Sequence, residues 1–204
     1  MTQFSTKGHE VQSNDYVSAF IKPGIVVAKI ASVGYHTSQG GTEGLKFIHE
    51  GKPMEELDGK SQTAESTMWT SPKAWPYTLD RLCIMADQLG VREQLDAVSA
   101  NSAEEYAAAL NAIFAGKVAR WKFSGTEIEG KFDEEKGEKK NNWFKAELAQ
   151  FDFVEPMSVA EENTKLKFDK TNKYDMKMLE KSDVEEPVNA EGGDPLGAPE
   201  DEWS

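Results

Sequence analysis

Few residues in this chain are equipped for chemistry, and their spacing excludes most of it. The three histidines, His9, His36 and His49, show no metal-ligand spacing such as H-x-x-x-H, and none lies near the single cysteine, Cys83. One cysteine allows no intrachain disulfide and no C-x-x-C zinc site. Cys83 sits among Leu82, Ile84 and Met85, the setting of a buried structural thiol. There is no G-x-S-x-G nucleophile elbow. The stretch GTEIEGKF (125–132) approaches a phosphate-binding G-x-x-x-x-G-K-[ST] loop, but Phe132 stands where Ser or Thr must hold Mg²⁺. Glu127 and Glu129 would repel the anion as well. The remaining carboxylates read as solvated surface. No enzyme, no cofactor and no metal are expected.

The aromatic and basic residues are more informative. In KVARWKF (117–123) strand alternation puts Ala119, Trp121 and Phe123 on one face and Arg120 and Lys122 on the other. NNWFKAEL (141–148) places Trp143 and Lys145 together, opposite Phe144 and Ala146. Lys29 stands amid apolar neighbours, and Lys46 beside Phe47. Cations interleaved with flat side chains are what a groove for single-stranded nucleic acid requires, since rings stack on any base while Lys and Arg meet phosphates. Lys29, Lys46, Arg120, Trp121, Lys122, Trp143 and Lys145 are therefore the candidate contacts. The plainer alternative remains open: Trp and Phe as core, Lys as the solvated outer face of a strand.

These residues need strands to hold them. GIVVAKIASVG (24–34), rich in β-branched residues and bounded by glycines, predicts the first strand. HTSQGGTEG (36–44) reads as a long loop, LKFIHE (45–50) as a second strand and SQTAESTMWT (61–70) as a third. The period then turns helical. Leu79, Leu82, Ile84, Met85 and Leu89 recur at helix spacing before Gly90, and Ser102 with Glu105 forms an S-x-x-E capping box that opens a second helix ending at Gly116. In MWTSPKAWPY, Trp69, Trp75 and Tyr77 either present a stacking surface or pin the helix, with pinning preferred for at least one. Strand character returns at 117–130 and 143–156. The fold class expected is mainly β with a helical insertion: a five-stranded OB-like barrel with two helices between strands 3 and 4, followed by a disordered acidic tail. The organisation expected is a flexible arm over 1–20, the OB-like domain over 21–157, a charged linker or short helix over 158–182, and the tail over 183–204.

Charge is concentrated at the end. The chain carries a formal net charge of −13, and 183–204 holds eight acids with no Lys or Arg. A tail this polar, with Pro and Gly throughout, cannot bury enough apolar surface to fold. It can instead occupy a basic groove until polyphosphate displaces it. No apolar run approaches the roughly 20 residues needed to span a bilayer, and the first residues lack a signal-peptide core. A cytoplasmic location, with no membrane partner, is the expectation.

KPGIVVAKIASVGYHTSQGGTEGLKFIHEG (22–51), IFAGKVARWKF and NNWFKAELAQFDFVEP resemble bacteriophage single-stranded DNA-binding proteins of the OB-fold type, over roughly residues 22 to 156. The resemblance implies a coat for single-stranded DNA in phage replication or recombination, in the host cytoplasm. It also implies an acidic tail that competes with DNA and recruits replication or recombination proteins, with Asp201, Glu202 and Trp203 at the docking end. A homodimer is compatible with it. The alternative from another class is an OB-like protein-interaction module that binds or inhibits a host protein, its acidic surface mimicking DNA.

Overall fold

The computed structural model describes residues 19–129, 132–133, 138–139 and 143–178. Its main sheet begins where the β-branched run predicts it. Strand β1 (Gly24–Thr37) pairs antiparallel with β2 (Glu43–Pro53), and β2 with β3 (Ser61–Trp69). Alternation then sorts the side chains. Ala28, Ile30 and Val33 of β1, Leu45, Phe47 and His49 of β2, and Ala64, Ser66 and Met68 of β3 are buried on the inner face. A bulge at Ala31 shifts the β1–β2 register. The Val33 N–H beyond it donates to Asn111 Oδ1 at 2.8 Å.

Three helices follow, one more than the sequence suggests: α1 (Trp75–Gln88), α2 (Arg92–Asp96) and α3 (Ala103–Phe114). The short α2 escapes a periodicity reading because five residues make little more than one turn. The capping box forms at α3, where the Ser102 hydroxyl accepts from the Glu105 N–H while the Glu105 carboxylate reaches back to the Asn101 N–H. Helix α3 lies against β1 and β2, with Phe114 edge-on to Phe47 at 6.3 Å between ring centroids.

Strand β4 (Val118–Ile128) returns beside β1 and is the centre of the sheet. A two-residue hairpin, β5 (Phe132–Asp133) with β6 (Glu138–Lys139), precedes β7 (Trp143–Leu148), which pairs with the far half of β4. Strands β8 (Val154–Pro156) and β9 (Met176–Met178) also pair with β4, the latter parallel. The path is β3-β2-β1-β4-β7.

The sheet curls but stays open, so a closed barrel is not what forms. Strands β3 and β7 approach within 8 Å between Cα atoms, yet no ladder joins them among the described residues. The reason lies in who uses the β3 edge. The Ile21 N–H donates to the Thr63 carbonyl and the Thr63 N–H to the Ala19 carbonyl, so the segment entering β1 takes that part of the edge. It then crosses toward β7, with Lys22 over the Phe144 ring at 5.7 Å and Pro23 against Gly125. A Cβ on Gly125 would collide with both Pro23 and the Lys145 carbonyl. Residues 19 and 20 thus belong to the sheet; the rest of the proposed arm lies outside the described residues.

Candidate nucleic-acid interface

On β1, β2 and β3 the alternation that buries one face turns the other to solvent. Directly paired across the strands on this outer face are His36, Gly44 and Trp69, then Gly34, Lys46 and Thr67, then Ser32, Ile48 and Glu65, then Lys29, Glu50 and Thr63. Gly44 is the key to the first row. A Cβ there would meet Thr67 Cγ2 at 2.9 Å and Trp69 Cε3 at 3.0 Å, so the indole lies across the bare backbone of β2. That lets it reach His36, two strands away, with ring centroids 5.9 Å apart and planes tilted by 49°. Both rings are half-buried. The backbone of the platform is fixed from both sides: the Thr70 N–H donates to the Glu43 carbonyl, and the Thr78 hydroxyl to the Trp69 carbonyl.

The glycine-rich loop beside the platform is tighter than its composition suggests. His36, Thr37, Glu43 and Gly44 belong to strands, leaving only residues 38–42 as the turn. The Ser38 N–H donates to the Thr42 carbonyl and the Thr42 N–H to the Ser38 hydroxyl. Gly41 closes it at φ +81°, a conformation open to glycine at no steric cost.

The residues singled out in the sequence divide among three environments. Lys29 and Lys46 lie on the outer face, each partnered: Lys29 with Glu50 at 3.0 Å, Lys46 with Glu65 at 2.8 Å. The hydrogen bond from Lys29 holds Glu50 below the usual carboxylate range. Such exposed pairs are worth about 0–1 kcal/mol, so a phosphate can replace the carboxylate cheaply. Lys145 is exposed on β7, paired with Glu147 at 3.1 Å.

The second environment is the core. Trp121 is fully buried, its Nε1–H donating to the Ala28 carbonyl at 2.8 Å. It therefore packs the sheet interior and offers no face to a base. The third environment is a covered stretch of β4. Residues 157–175, most of them in the 158–182 stretch expected to be a charged linker or short helix, cross the outer face of β4 from β8 on one edge to β9 on the other. Beneath this strap Arg120 meets Glu155 at 3.3 Å and donates to the Val159 carbonyl at 2.6 Å. Lys122 meets Asp175 at 2.5 Å. All four side chains are nearly or wholly buried. Neither cation is presented to solvent as the sequence reading supposed, because acids distant in the chain fold back over them. Burial by itself would raise Glu155, but the Lys165 N–H, the Thr164 hydroxyl and Arg120 outweigh it and hold the carboxyl low. Trp143 is a strand residue paired with Ile128. Its side chain lies outside the described residues, as do Asp201, Glu202 and Trp203.

His36 and Trp69 are the functional candidates that sequence reasoning missed as a pair. Gly44 was the available signal, but it reads as one more loop glycine until the register is known. Of the other aromatics flanking the insertion, Trp75 pins α1 to α3 through Tyr106 at 5.6 Å, and Tyr77 is exposed. Cys83 is partly buried against the core. Among the described residues no group of three His, Cys, Asp or Glu side chains is placed to hold a metal, and no helix is long and apolar enough to cross a membrane. No protein-family model matches the chain, and no curated protein matches it in sequence.

Proposed function

We propose that the chain binds single-stranded DNA without sequence preference and acts in phage DNA replication or recombination. The observation that carries this reading is the Trp69–His36 platform, two adjacent rings on a solvent-facing sheet with Lys46 and Lys29 on the same face. Stacking tolerates any base, and lysines in weak surface pairs can be transferred to phosphates. The strand path, with a helical insertion ahead of β4, supports an OB-like arrangement. The resemblance to phage single-stranded DNA-binding proteins points the same way. In this reading the acidic residues 183–204 compete with DNA, and Asp201, Glu202 and Trp203 dock replication or recombination proteins. No cofactor takes part.

The experiment is an anisotropy titration with oligo-dT. Binding tighter than about 10 µM at low salt is expected, since one stacked base contributes about 1–3 kcal/mol and several phosphates add to it. Trp69→Ala lowers affinity by roughly 10- to 100-fold, the equivalent of one base stack. Gly44→Val, which lifts the indole off β2, produces a similar loss with Trp69 still present. Unchanged affinity in both variants removes the platform from the reading, and removal of 183–204 is expected to tighten binding.

A second reading is favoured by one observation. Lys29, Lys46 and Lys145 are each matched to a carboxylate, so the sheet presents little net positive charge. An OB-like interaction module that binds or inhibits a host protein, by mimicking DNA, would have that surface. Under it the chain shows no affinity for single strands and co-purifies with a host polymerase or nuclease.

A further inference from the structure

We propose that the DNA track is confined to the outer face of β1, β2 and β3 and stops at the strap, so that the ligand held is a short single-stranded stretch, bound more by stacking than by charge. This rests on the single-strand reading above and specifies how that site works. The strap removes Arg120 and Lys122 from any phosphate: both are neutralised and buried, by Glu155 and Asp175. Prising either pair apart leaves a buried charge uncompensated, a cost that a phosphate contact in water does not return. The strap also acts as a wall. Lys145, on β7, lies on the opposite side of β4 from Lys29 and Lys46, so among the described residues no continuous row of cations crosses the sheet.

What remains on the near side is small. From His36 to Lys29 along β1 the face measures about 20 Å at a strand's rise per residue. That corresponds to the low end of the roughly 4–16 nucleotides that one fold of this kind holds. Lys29 and Lys46 lie within it, and the exposed Lys52 and Lys73 follow its two ends. Each phosphate neutralised on a single strand contributes about −0.7 to the slope of log affinity against log salt. Engaged together, these four lysines give about −3, and the two within the track alone give about −1.4.

The test uses the full chain with an oligo-dT series of 4 to 20 nucleotides at several salt concentrations, with sedimentation to identify one-to-one complexes. Expected are a one-to-one affinity that stops rising by about eight nucleotides and a salt slope no steeper than about −3. Lys46→Ala flattens the slope by about 0.7, while Lys145→Ala changes neither slope nor affinity by more than about twofold. A steeper slope, continued gain beyond eight nucleotides, or an equal response to Lys145→Ala overturns the confined track. Absence of binding at every length instead overturns the single-strand reading beneath it.

Discussion

Lys122→Ala costs about 3–5 kcal/mol of folding stability, and Asp175→Ala costs a similar amount. The pair is one of two sealed ion pairs under the strap, with side chains 13% and 5% exposed and 2.5 Å between charged atoms. Removing one partner strands the other charge away from water, which is why the single deletions are severe. Asp175 does more than pair. Its second oxygen accepts from the Asp169 N–H, and its backbone carbonyl accepts from the Gly125 N–H, fixing where β9 begins. Replacing both charges together, as Lys122→Met with Asp175→Asn, leaves no lone ion and recovers most of the loss. The contrast is Lys46→Ala, which breaks an exposed pair and costs about 1 kcal/mol or less. Urea denaturation of the parent and the four variants makes the comparison, with the slope of each transition checking that the unfolded states are alike. A Lys122→Ala loss below about 1 kcal/mol would show the strap to be held by other contacts. The folded fraction of Lys122→Ala is expected to bind single strands as the parent does, because that lysine meets Asp175 and not DNA.

How much of this was legible in the sequence depended on how far apart the cooperating residues lie. Alternation in KVARWKF sent Ala119, Trp121 and Phe123 inward and Arg120 and Lys122 outward, as found, because side-chain direction along a strand is a local property. The capping box at Ser102 was legible for the same reason. An outward direction does not, however, say what lies outside. Glu155 sits 35 residues beyond Arg120, and nothing in its neighbourhood marks it as that partner. The strap itself reads as a charged, aperiodic segment, since its order comes from packing on β4 and from burial of its own Leu166 rather than from a period of its own. Closure was equally hidden. Whether β3 joins β7 depends on the segment at 19–23, which competes for the β3 edge and carries no strand signal. The platform follows the same logic. His36, Gly44 and Trp69 meet only after two hairpin registers are set, and only Gly44 leaves room for the indole.

The largest pH effect is expected from a residue outside the proposed site. His49 is fully buried on the inner face of β2, edge-on to Trp121 at 4.7 Å and Phe123 at 5.3 Å. Neither ring nitrogen has a hydrogen-bond partner among the described residues. The groups around it come from three elements: Trp121 and Phe123 from β4, Ala64 opposite it on β3, and the Arg81 guanidinium from α1. Burial pushes the imidazole down to about 4; the Ala64 carbonyl opposes this without making an aligned hydrogen bond, and the Arg81 cation reinforces it. The unfolded chain returns His49 to its ordinary value of 6.5 and so binds a proton more readily than the folded chain below that pH. The stability is thus complete above about pH 6.5 and drains away as pH falls toward 4, reaching about 3 kcal/mol in all. Between pH 7 and pH 5 the loss is about 2 kcal/mol. Glu50, Glu155 and Asp169, all held below the usual carboxylate range, lose their contribution only at lower pH, so the upper part of the window belongs to His49. His49→Leu fills the same apolar site without a titrating group and is expected to reduce the pH 7-to-5 loss to a few tenths of a kcal/mol. His49→Gln supplies a control that keeps a polar side chain but cannot be protonated. Urea melts at the two pH values decide the matter: if the loss persists in both variants, the acid sensitivity arises elsewhere than in this buried imidazole.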